Sequence, residues 1–354
     1  MLVRKRIAAF LFVLAPLLAD QVDDIVKAEM ARQHIPGVAI AVMKDGLVIR
    51  SAGYGTANLE LNVAVTPRTA FKIGSISKQF LASGIMILAQ EGKLRVTDKV
   101  SQYLPDAPSA WRGVTLRHLM SHTGGLTREG PGFDPLKEQP DIQVIRSAYV
   151  LPLVFEPGAA WQYSNIGFFT LAEIVSRVAA KPWADFLDER IFGPLQMTAT
   201  RTTTWREIVP NRADGYVWQN GAQFNAPEFR AVRPSGAFLS TVEDLAKWDA
   251  ALETDAPLKK ATREQMWTAV TLNDGKASGY GYGWEVQTRA GKRSVHHGGS
   301  LPGFRAHFAR FPSERFSVVV LTNGDQVKPE QILWQLAAVW LPGVDQEPPN
   351  GRAK

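Results

Sequence analysis

The spacing of apolar and polar residues predicts three regular elements in the first quarter of the chain. Over residues 21–37, "QVDDIVKAEMARQHIPG", the apolar positions recur at helical spacing and the segment ends at Pro-Gly. The next segment, "GVAIAVMKDGLVIRSAGYG", is typical of a β-hairpin that turns at Asp45–Gly46. From Ser75 to about Gly92 the pattern is helical and apolar on nearly every side, which predicts a buried helix that ends at Gly92.

The character of the pattern changes along the rest of the chain. Residues 95–250 mix short helical stretches with loops rich in Pro and Gly, whereas residues 280–323 contain four strand-like segments separated by short turns. These four segments predict an antiparallel meander, and the apolar helix "EQILWQLAAVW" follows it. The pattern therefore predicts an α+β fold, in which one antiparallel sheet is built from both termini, flanked by helices, with an inserted helical lobe. We expect the functional site in the cleft between the lobes.

The first 19 residues have the layout of a secretory signal peptide. "MLVRKRIAAFLFVLAPLLAD" begins with basic residues, continues with an apolar stretch too short to span a bilayer comfortably, and has the small residue Ala19 before the first acid. We therefore expect a secreted or periplasmic protein, with an uncleaved N-terminal anchor as the alternative. No later segment is long and apolar enough to cross a membrane, so we expect no stable membrane span after leader removal.

The predicted organisation is a single folded domain between the leader and a short tail. The expected segments are the signal peptide (1–19), the domain (20–345), its α/β lobe (about 20–74 and 250–345), its helical lobe (about 75–249) and a polar tail (346–354). The sequence leaves the oligomeric state open.

The amino-acid composition argues against several classes of function, namely nucleic-acid binding, thiolate chemistry and metal binding. The formal net charge is +6, but three of the basic residues lie in the leader and the others are scattered. This distribution argues against a nucleic-acid partner, which requires basic residues clustered on one face. The absence of cysteine excludes disulfides and thiolate chemistry and is compatible with an oxidising compartment. The six histidines show no metal-ligand spacing, and we expect neither a metal nor a cofactor.

A lysine within the predicted buried helix is the first sign of chemistry. Lys78 follows Ser75 by three residues, so both side chains lie on one helix face, one turn apart. Ser75 stands at the predicted helix N-terminus, where free N–H groups favour negative charge. A desolvated lysine has a lowered pKa and can accept the proton of a serine hydroxyl. A Ser-x-x-Lys spacing arises about once by chance in such a chain, and a solvated lysine beside a capping serine fits it equally well.

Two further motifs place polar groups that such a pair requires. Tyr163-Ser164-Asn165 is the only Tyr-x-Asn in the chain; its phenol can relay a proton, and its amide can hold both the lysine and a substrate carbonyl. A tyrosine packed in a loop is the alternative.

The other motif is "HGGS" at residues 297–300. Gly298 and Gly299 permit a close backbone approach, and the amide of Ser300 can join that of Ser75 as an oxyanion hole. His297 considered by itself is more often a space-filling residue.

These three motifs, in this order, resemble those of the serine β-lactamase and penicillin-binding-protein superfamily, and the chain is most similar to its class C β-lactamase-related branch. The resemblance extends over about residues 25–340 and includes the flanking segments "LMSHTGGL", "FEPGAAWQYSN", "PSGAFLSTVEDLAKW" and "GGSLPGF". His122-Thr123-Gly124 also fits the third motif, but it lies where the superfamily has a loop bordering the site, and we interpret it as structural.

The resemblance implies a mechanism for the matching residues. Ser75 would attack a carbonyl to form an acyl-enzyme, Lys78 and Tyr163 would share proton transfer, and Asn165 would position both Lys78 and the substrate. The amides of Ser75 and Ser300 would bind the oxyanion, and the partner would be a small-molecule or peptide substrate. Whether Lys78 or the Tyr163 phenolate is the base stays open, because a coupled pair has no single pKa assignment.

The third motif departs from the Lys-Thr-Gly usual in the β-lactamases of this superfamily. His297 stands in the cationic place and Gly298 in the hydroxyl place, and both changes weaken recognition of a substrate carboxylate. Arg305 is a candidate substitute for the missing cation. The departure favours a serine hydrolase of esters or amides over a β-lactamase that confers antibiotic resistance. A carboxylesterase, a D-amino-acid peptidase and a β-lactamase stay open, as does a penicillin-binding or scaffold relative with little or no turnover.

Overall fold

The computed structural model describes residues 20–203 and 206–346. The predicted signal peptide, and the predicted polar tail beyond its first residue, lie outside the described residues. The helices are α1 (residues 20–33), α2 (Ser77–Gln90), α3 (Val100–Tyr103), α4 (Leu116–Met120), α5 (Asp141–Ser147), α6 (Asn165–Ala179), α7 (Trp183–Leu187), α8 (Val242–Ala251), α9 (Lys260–Met266) and α10 (Pro329–Ala338). Shorter helical turns are Gly74–Ile76, Ser109–Gly113, Ala148–Val150, Asp188–Phe192 and Pro234–Gly236.

The strands form one large sheet and two small ones. They are β1 (Gly37–Lys44), β2 (Leu47–Asn58), β3 (Val63–Ala64), β4 (Phe71–Lys72), β5 (Arg201–Thr202), β6 (Tyr216–Gln219), β7 (Ala222–Asn225), β8 (Phe238–Ser240), β9 (Glu285–Arg289), β10 (Lys292–Leu301), β11 (Phe304–Phe311) and β12 (Phe316–Thr322). The large sheet has the order β3-β2-β1-β12-β11-β10-β9, and its named pairs are antiparallel. The small sheets are β4-β8-β5 and β6-β7.

The large sheet confirms the predicted α+β fold. The hairpin β1–β2 turns at Asp45–Gly46, where both residues have positive φ, as the sequence predicts. The meander β9–β12 also forms, and β1 pairs with β12 so that Val38 lies opposite Thr322. The two ends of the chain therefore build one sheet, and the helix-rich segment is inserted between them.

Alternate side chains of β1 enter two separate cores. Val38, Ile40 and Val42 pack in a cluster with residues of α1 and α10, whereas Ala39 and Ala41 belong to the larger cluster that includes α8 and α2. This alternation follows from the two-residue period of a strand. Helices therefore cover both faces of the sheet.

Helix α2 confirms the predicted buried helix with a shifted start. All of its residues from Ser77 to Leu88 are buried, and the helix packs against α6. The predicted first turn is a separate 3₁₀ turn, Gly74–Ile76, which opens at Gly74 with a φ of +52°. Ser75 therefore precedes α2, whereas Lys78 lies in its first turn.

A buried carboxyl group at the start of α5 makes stability depend on pH. Burial raises the pKa of Asp141 to about 7, although the Trp183 indole N–H donates to its carboxyl group at 2.9 Å. Above pH 4 the unfolded chain ionises at this position while the folded protein stays protonated, so stability falls until the pH passes about 7. We expect Asp141→Asn to raise the free energy of unfolding at pH 8 by about 1–2 kcal/mol and to change it little at pH 4.

Urea unfolding at both pH values measures this difference. Asp185→Asn, an exposed acid in the first turn of α7, is the control and should change stability by less than about 0.5 kcal/mol at either pH. An equal effect of Asp141→Asn at pH 4 and pH 8 would contradict the expectation.

The sequence predicts no stable membrane span in the chain after the leader. Within residues 20–203 and 206–346, no helix combines the length and the apolar character that a bilayer span requires.

Candidate active site

A cleft of about 1230 Å³ is lined by the predicted site residues other than Lys78, which is fully buried beneath Ser75. Strand β10 contributes residues 297–301 to the lining, the turn before α2 contributes Ser75, and the start of α6 contributes Asn165. Residues that line the cleft include Ser75, Tyr163, Asn165, Glu285, His297 and Ser300. The structure thus brings three distant segments of the sequence to one cavity.

Lys78 is held next to Ser75 by two further acceptors. Its Nζ lies 3.2 Å from Ser75 Oγ, 2.9 Å from Asn165 Oδ1 and 2.7 Å from the carbonyl oxygen of Ser235. The side chain has 0% exposure. These contacts explain how a lysine is accommodated in a buried helix, because each polar direction of its Nζ meets an oxygen.

The surroundings of Lys78 favour its neutral form. Burial lowers its pKa well below the usual value, and the charges of Arg233 and Arg128 act in the same direction. Glu129 opposes this effect. A neutral amine has two N–H groups, and when they donate to Asn165 Oδ1 and to the Ser235 carbonyl oxygen, the lone pair faces Ser75 Oγ.

Tyr163 stands beside both members of this pair. Its ring centroid lies 4.7 Å from Lys78 Nζ. Burial raises the pKa of the phenol, and hydrogen bonding with the Ser75 side chain opposes that rise. Tyr163 is therefore a protonated phenol in contact with the serine hydroxyl, while Lys78 is the group with the lowered pKa.

Two glycines bring the backbone of β10 against the turn that carries Ser75. A Cβ atom at Gly74 would lie 2.5 Å from the amide nitrogen of Ser300, and one at Gly299 would lie 1.9 Å from the carbonyl oxygen of Ile73. The same Cβ atom at Gly299 would lie 3.4 Å from the amide nitrogen of Ser75. The amides of Ser75 and Ser300 are thus neighbours across this contact, which is the arrangement that an oxyanion hole requires.

His297 is a neutral residue with both ring nitrogens engaged. Nδ1 lies 2.6 Å from the carbonyl oxygen of Gly298 and therefore carries the proton, so Nε2, at 2.8 Å, accepts from the Tyr280 hydroxyl. Burial lowers the pKa of His297 to about 4. The third motif consequently presents no cation to the cleft at neutral pH.

Neither Gly298 nor Arg305 supplies an unbalanced positive charge beside His297. A Cβ atom at Gly298 would meet Nδ1 of His307, its partner on β11, at 3.4 Å, so this position lies on the same face of the sheet as His307. Arg305 was a candidate for the missing cation. Its guanidinium lies 3.0 Å from Asp325 and donates to the carbonyl oxygens of Leu301 and Phe304. The carboxylate of Asp325 therefore balances this charge.

The second His-x-Gly segment lies directly behind Tyr163. His122 is buried, its Nδ1 accepts from the backbone N–H of Ser164 at 3.1 Å, and its ring centroid lies 4.3 Å from that of Tyr163. The segment supports the Tyr163–Asn165 backbone from outside the cleft, in accordance with its interpretation as structural.

Glu129 and Arg233 are site residues that sequence reasoning missed. Glu129 Oε1 accepts from Asn165 Nδ2 at 2.5 Å and from Arg233 Nη2 at 2.7 Å. The two residues are 104 positions apart and belong to no short motif. Ser235 likewise belongs to none of the three motifs, although it lies in the segment "PSGAFLSTVEDLAKW" that resembles the superfamily.

The six histidines, like the acidic residues, form no evident metal site in residues 20–203 and 206–346. There, no group of three or more His, Asp or Glu side chains is arranged to hold a metal ion.

A family model described as Beta-lactamase matches residues 22–339. Penicillin-binding protein 4* of Bacillus subtilis (strain 168) is 30% identical over 319 residues, which are 84% of this chain and 70% of that protein. Protein flp of Staphylococcus aureus (strain N315) is 27% identical over 315 residues, 86% of this chain, and this chain spans 63% of its length.

Solved structures share the fold over nearly the whole chain. An octameric penicillin-binding protein homologue from Pyrococcus abyssi has a TM-score of 0.83 at 26% identity, with 93% of this chain and 78% of that chain covered. EstCE1, a hydrolase with promiscuous acyltransferase activity, has a TM-score of 0.80 at 22% identity, and the match covers 93% of this chain and 100% of EstCE1. The D-amino acid amidase of Ochrobactrum anthropi SV3 has a TM-score of 0.80 at 21% identity, and the match covers 92% of this chain and 98% of the amidase.

Proposed function

Because this chain belongs to the Beta-lactamase family, we propose that it is a serine hydrolase that cleaves an ester or amide through a covalent acyl-enzyme on Ser75. The observation that carries the proposal is the contact between Lys78 Nζ and Ser75 Oγ at 3.2 Å, in a buried setting that favours the neutral amine. A neutral amine aimed at a serine hydroxyl is the arrangement that activates the nucleophile.

The proposed reaction has two stages. Ser75 Oγ attacks the substrate carbonyl carbon while Lys78 Nζ takes its proton, and the N–H groups of Ser75 and Ser300 stabilise the oxyanion. The tetrahedral intermediate collapses, and the leaving alcohol or amine receives a proton through Lys78 and Tyr163. Water then attacks the acyl-enzyme, its proton passes to the same pair, and Ser75 is regenerated. Lys78 is the proposed base, because its pKa is lowered whereas that of Tyr163 is raised.

The proposed substrates are esters or amides that do not depend on a carboxylate anchor beside the third motif. A neutral His297 with both nitrogens engaged supports this choice, since carboxylate recognition needs a cation or free donors at that position. The names of two structural neighbours, a promiscuous acyltransferase-hydrolase and a D-amino acid amidase, are consistent with it. A carboxylesterase or an amidase is therefore preferred over a β-lactamase.

A second candidate is a penicillin-binding relative that is acylated but releases the acyl group slowly. The 30% identity to penicillin-binding protein 4* favours this candidate. It shares the first stage of the reaction with the hydrolase and differs in the second.

One experiment tests both candidates. The protein is incubated with a fluorophosphonate, the adduct is located by mass spectrometry, and turnover of a p-nitrophenyl ester and of a chromogenic cephalosporin is measured. We expect an adduct on Ser75, a burst and continued turnover with the ester, and no cephalosporin turnover. A burst without continued turnover would favour the slow-release candidate, and efficient cephalosporin hydrolysis would reverse the substrate ranking. An unlabelled Ser75 would refute the nucleophile assignment.

The rate should depend on pH through Lys78. Its pKa is lowered from the usual value, and only the neutral amine can accept the serine proton, so activity is present above that pKa and is lost as the pH falls through it. We expect kcat/KM for the p-nitrophenyl ester to fall on the acid side between pH 9 and pH 5. A flat profile over this range would contradict proton transfer to Lys78.

The proposal includes export from the cytoplasm, and it rests on the leader at residues 1–19. Fractionation of cells that express the full chain, followed by N-terminal sequencing, tests this point. Export predicts a mature protein outside the cytoplasm that begins near Asp20, whereas an intact leader in the membrane fraction would indicate an anchor.

A further inference from the structure

Two acceptors other than the nucleophile determine where the Lys78 lone pair is directed. They are Asn165 Oδ1, at the start of α6, and the carbonyl oxygen of Ser235, in the turn Pro234–Gly236. These acceptors come from separate parts of the chain. Their relative position has to be maintained if the amine is to point at Ser75.

One ion pair contacts both acceptor segments. Glu129 Oε1 receives hydrogen bonds from Asn165 Nδ2 and from Arg233 Nη2, at 2.5 and 2.7 Å. Arg233 Nε in turn donates to Ser235 Oγ at 3.4 Å, and its guanidinium lies 4.7 Å from the centre of the Phe133 ring. Because Glu129 accepts from the NH₂ end of the Asn165 amide, the oxygen end is left facing Lys78.

We propose that Glu129 and Arg233 are positioning residues for the Ser75 reaction, whose ion pair holds the Asn165 amide and the Pro234–Gly236 turn in place as the acceptors of Lys78. This inference rests on the proposed acyl-enzyme function and adds to it a pair of residues outside the three motifs. Neither residue contacts the reacting atoms in this scheme. They act through the orientation and the protonation of Lys78.

The two charges have opposite effects on the amine. Arg233 disfavours protonated Lys78, whereas Glu129 favours it. The charged and titratable groups that face Lys78 are Arg128, Glu129, Tyr163, Arg233 and His297. Arg128 also disfavours protonated Lys78, and variants of Glu129 or Arg233 leave its charge unchanged. The effect of each charge in the ion pair on Lys78 can therefore be measured separately.

The test measures the rate of fluorophosphonate labelling of Ser75 from pH 5 to pH 10. Arg233→Gln should move the acid limb of the rate profile about one unit to higher pH, and Glu129→Gln should move it about one unit to lower pH. Glutamine at position 129 retains an oxygen acceptor for Asn165, so its rate at high pH should stay within about threefold of the wild type. Glu129→Ala removes that acceptor and should lower the rate at high pH about tenfold.

Further variants separate this role from a purely structural one. Arg233→Lys retains the charge and should leave the acid limb unmoved while it lowers the rate several-fold. Arg146→Gln breaks the Arg146–Asp106 ion pair, which has the same 2.7 Å distance but lies on the exposed surface, and it should leave the profile unchanged. Opposite shifts for Arg233→Gln and Glu129→Gln support the proposal.

Shifts in one direction, or none, overturn the proposal. If Arg233→Gln does not fold, the Glu129→Gln profile and the Arg233→Lys rate decide the question. The wild type is labelled first, because absence of a Ser75 adduct there would refute the acyl-enzyme function itself rather than the role of the ion pair.

Discussion

Ser75→Ala should reduce ester hydrolysis by about 10⁴-fold or more and abolish labelling by the fluorophosphonate. The reason is that the variant lacks the oxygen to which the acyl group would be attached, while the rest of the cleft is retained. Lys78 keeps Asn165 and Ser235 as acceptors, so the fold should survive the change. Steady-state kinetics, intact mass and the melting temperature together measure this outcome.

Ser83→Ala is the matched control for this variant. Ser83 is a buried serine on α2, the helix that carries Lys78, and its hydroxyl donates to the carbonyl oxygen of Gln79 at 2.6 Å, away from the cleft. We expect activity within about twofold of the wild type. Labelling that persists in Ser75→Ala would show that another residue is the nucleophile.

Gly299→Ala should lower kcat/KM by about 10²–10³-fold, the usual effect of losing an oxyanion-hole donor. The new Cβ would lie 1.9 Å from the carbonyl oxygen of Ile73, and both contacting groups are backbone, so β10 has to move away from the turn that carries Ser75. The amide of Ser300 would move with it. We also expect a lower melting temperature, because the contact between β10 and the turn is lost.

The adjacent glycine supplies the control for this variant. Gly298→Ala would place its Cβ 3.4 Å from His307 Nδ1, which is an ordinary contact distance. We expect its melting temperature to stay within a few degrees of the wild type and its kcat/KM to stay within about tenfold. Labelling kinetics per folded molecule separate the effect on catalysis from the effect on stability. Equal behaviour of the two variants would contradict the proposed role of the Gly299 contact.

Short motifs in the sequence pointed to three residues that the structure places in contact around Lys78. Ser75 and Lys78 are one turn apart, and Asn165 was picked out by a rare tripeptide, and these three side chains are joined by hydrogen bonds in the structure. Glu129 and Arg233 could not be found in this way. Each is an ordinary charged residue in its local sequence, and the role proposed for the pair depends on a contact across 104 positions.

The protonation states of His297 and Lys78 also could not be predicted from the local sequence pattern. His297 could be recognised as a departure from a lysine, but its pKa of about 4 is caused by burial, and its tautomer follows from the contacts with the Gly298 carbonyl oxygen and the Tyr280 hydroxyl. The lowered pKa of Lys78 depends likewise on burial and on Arg233. Both are effects of desolvation and of neighbouring charges.

The sequence alone determined the elements, because a strand or helix buries one face through a period of 2 or 3.6 residues that is visible locally. It thereby determined the Asp45–Gly46 hairpin, the meander β9–β12 and the buried helix that carries Lys78. Only the tertiary structure decided that α2 starts at Ser77, that β10 lies against the Gly74–Ile76 turn, and which charges surround Lys78. Those features depend on backbone and charge contacts between residues far apart in the chain, which no local period records.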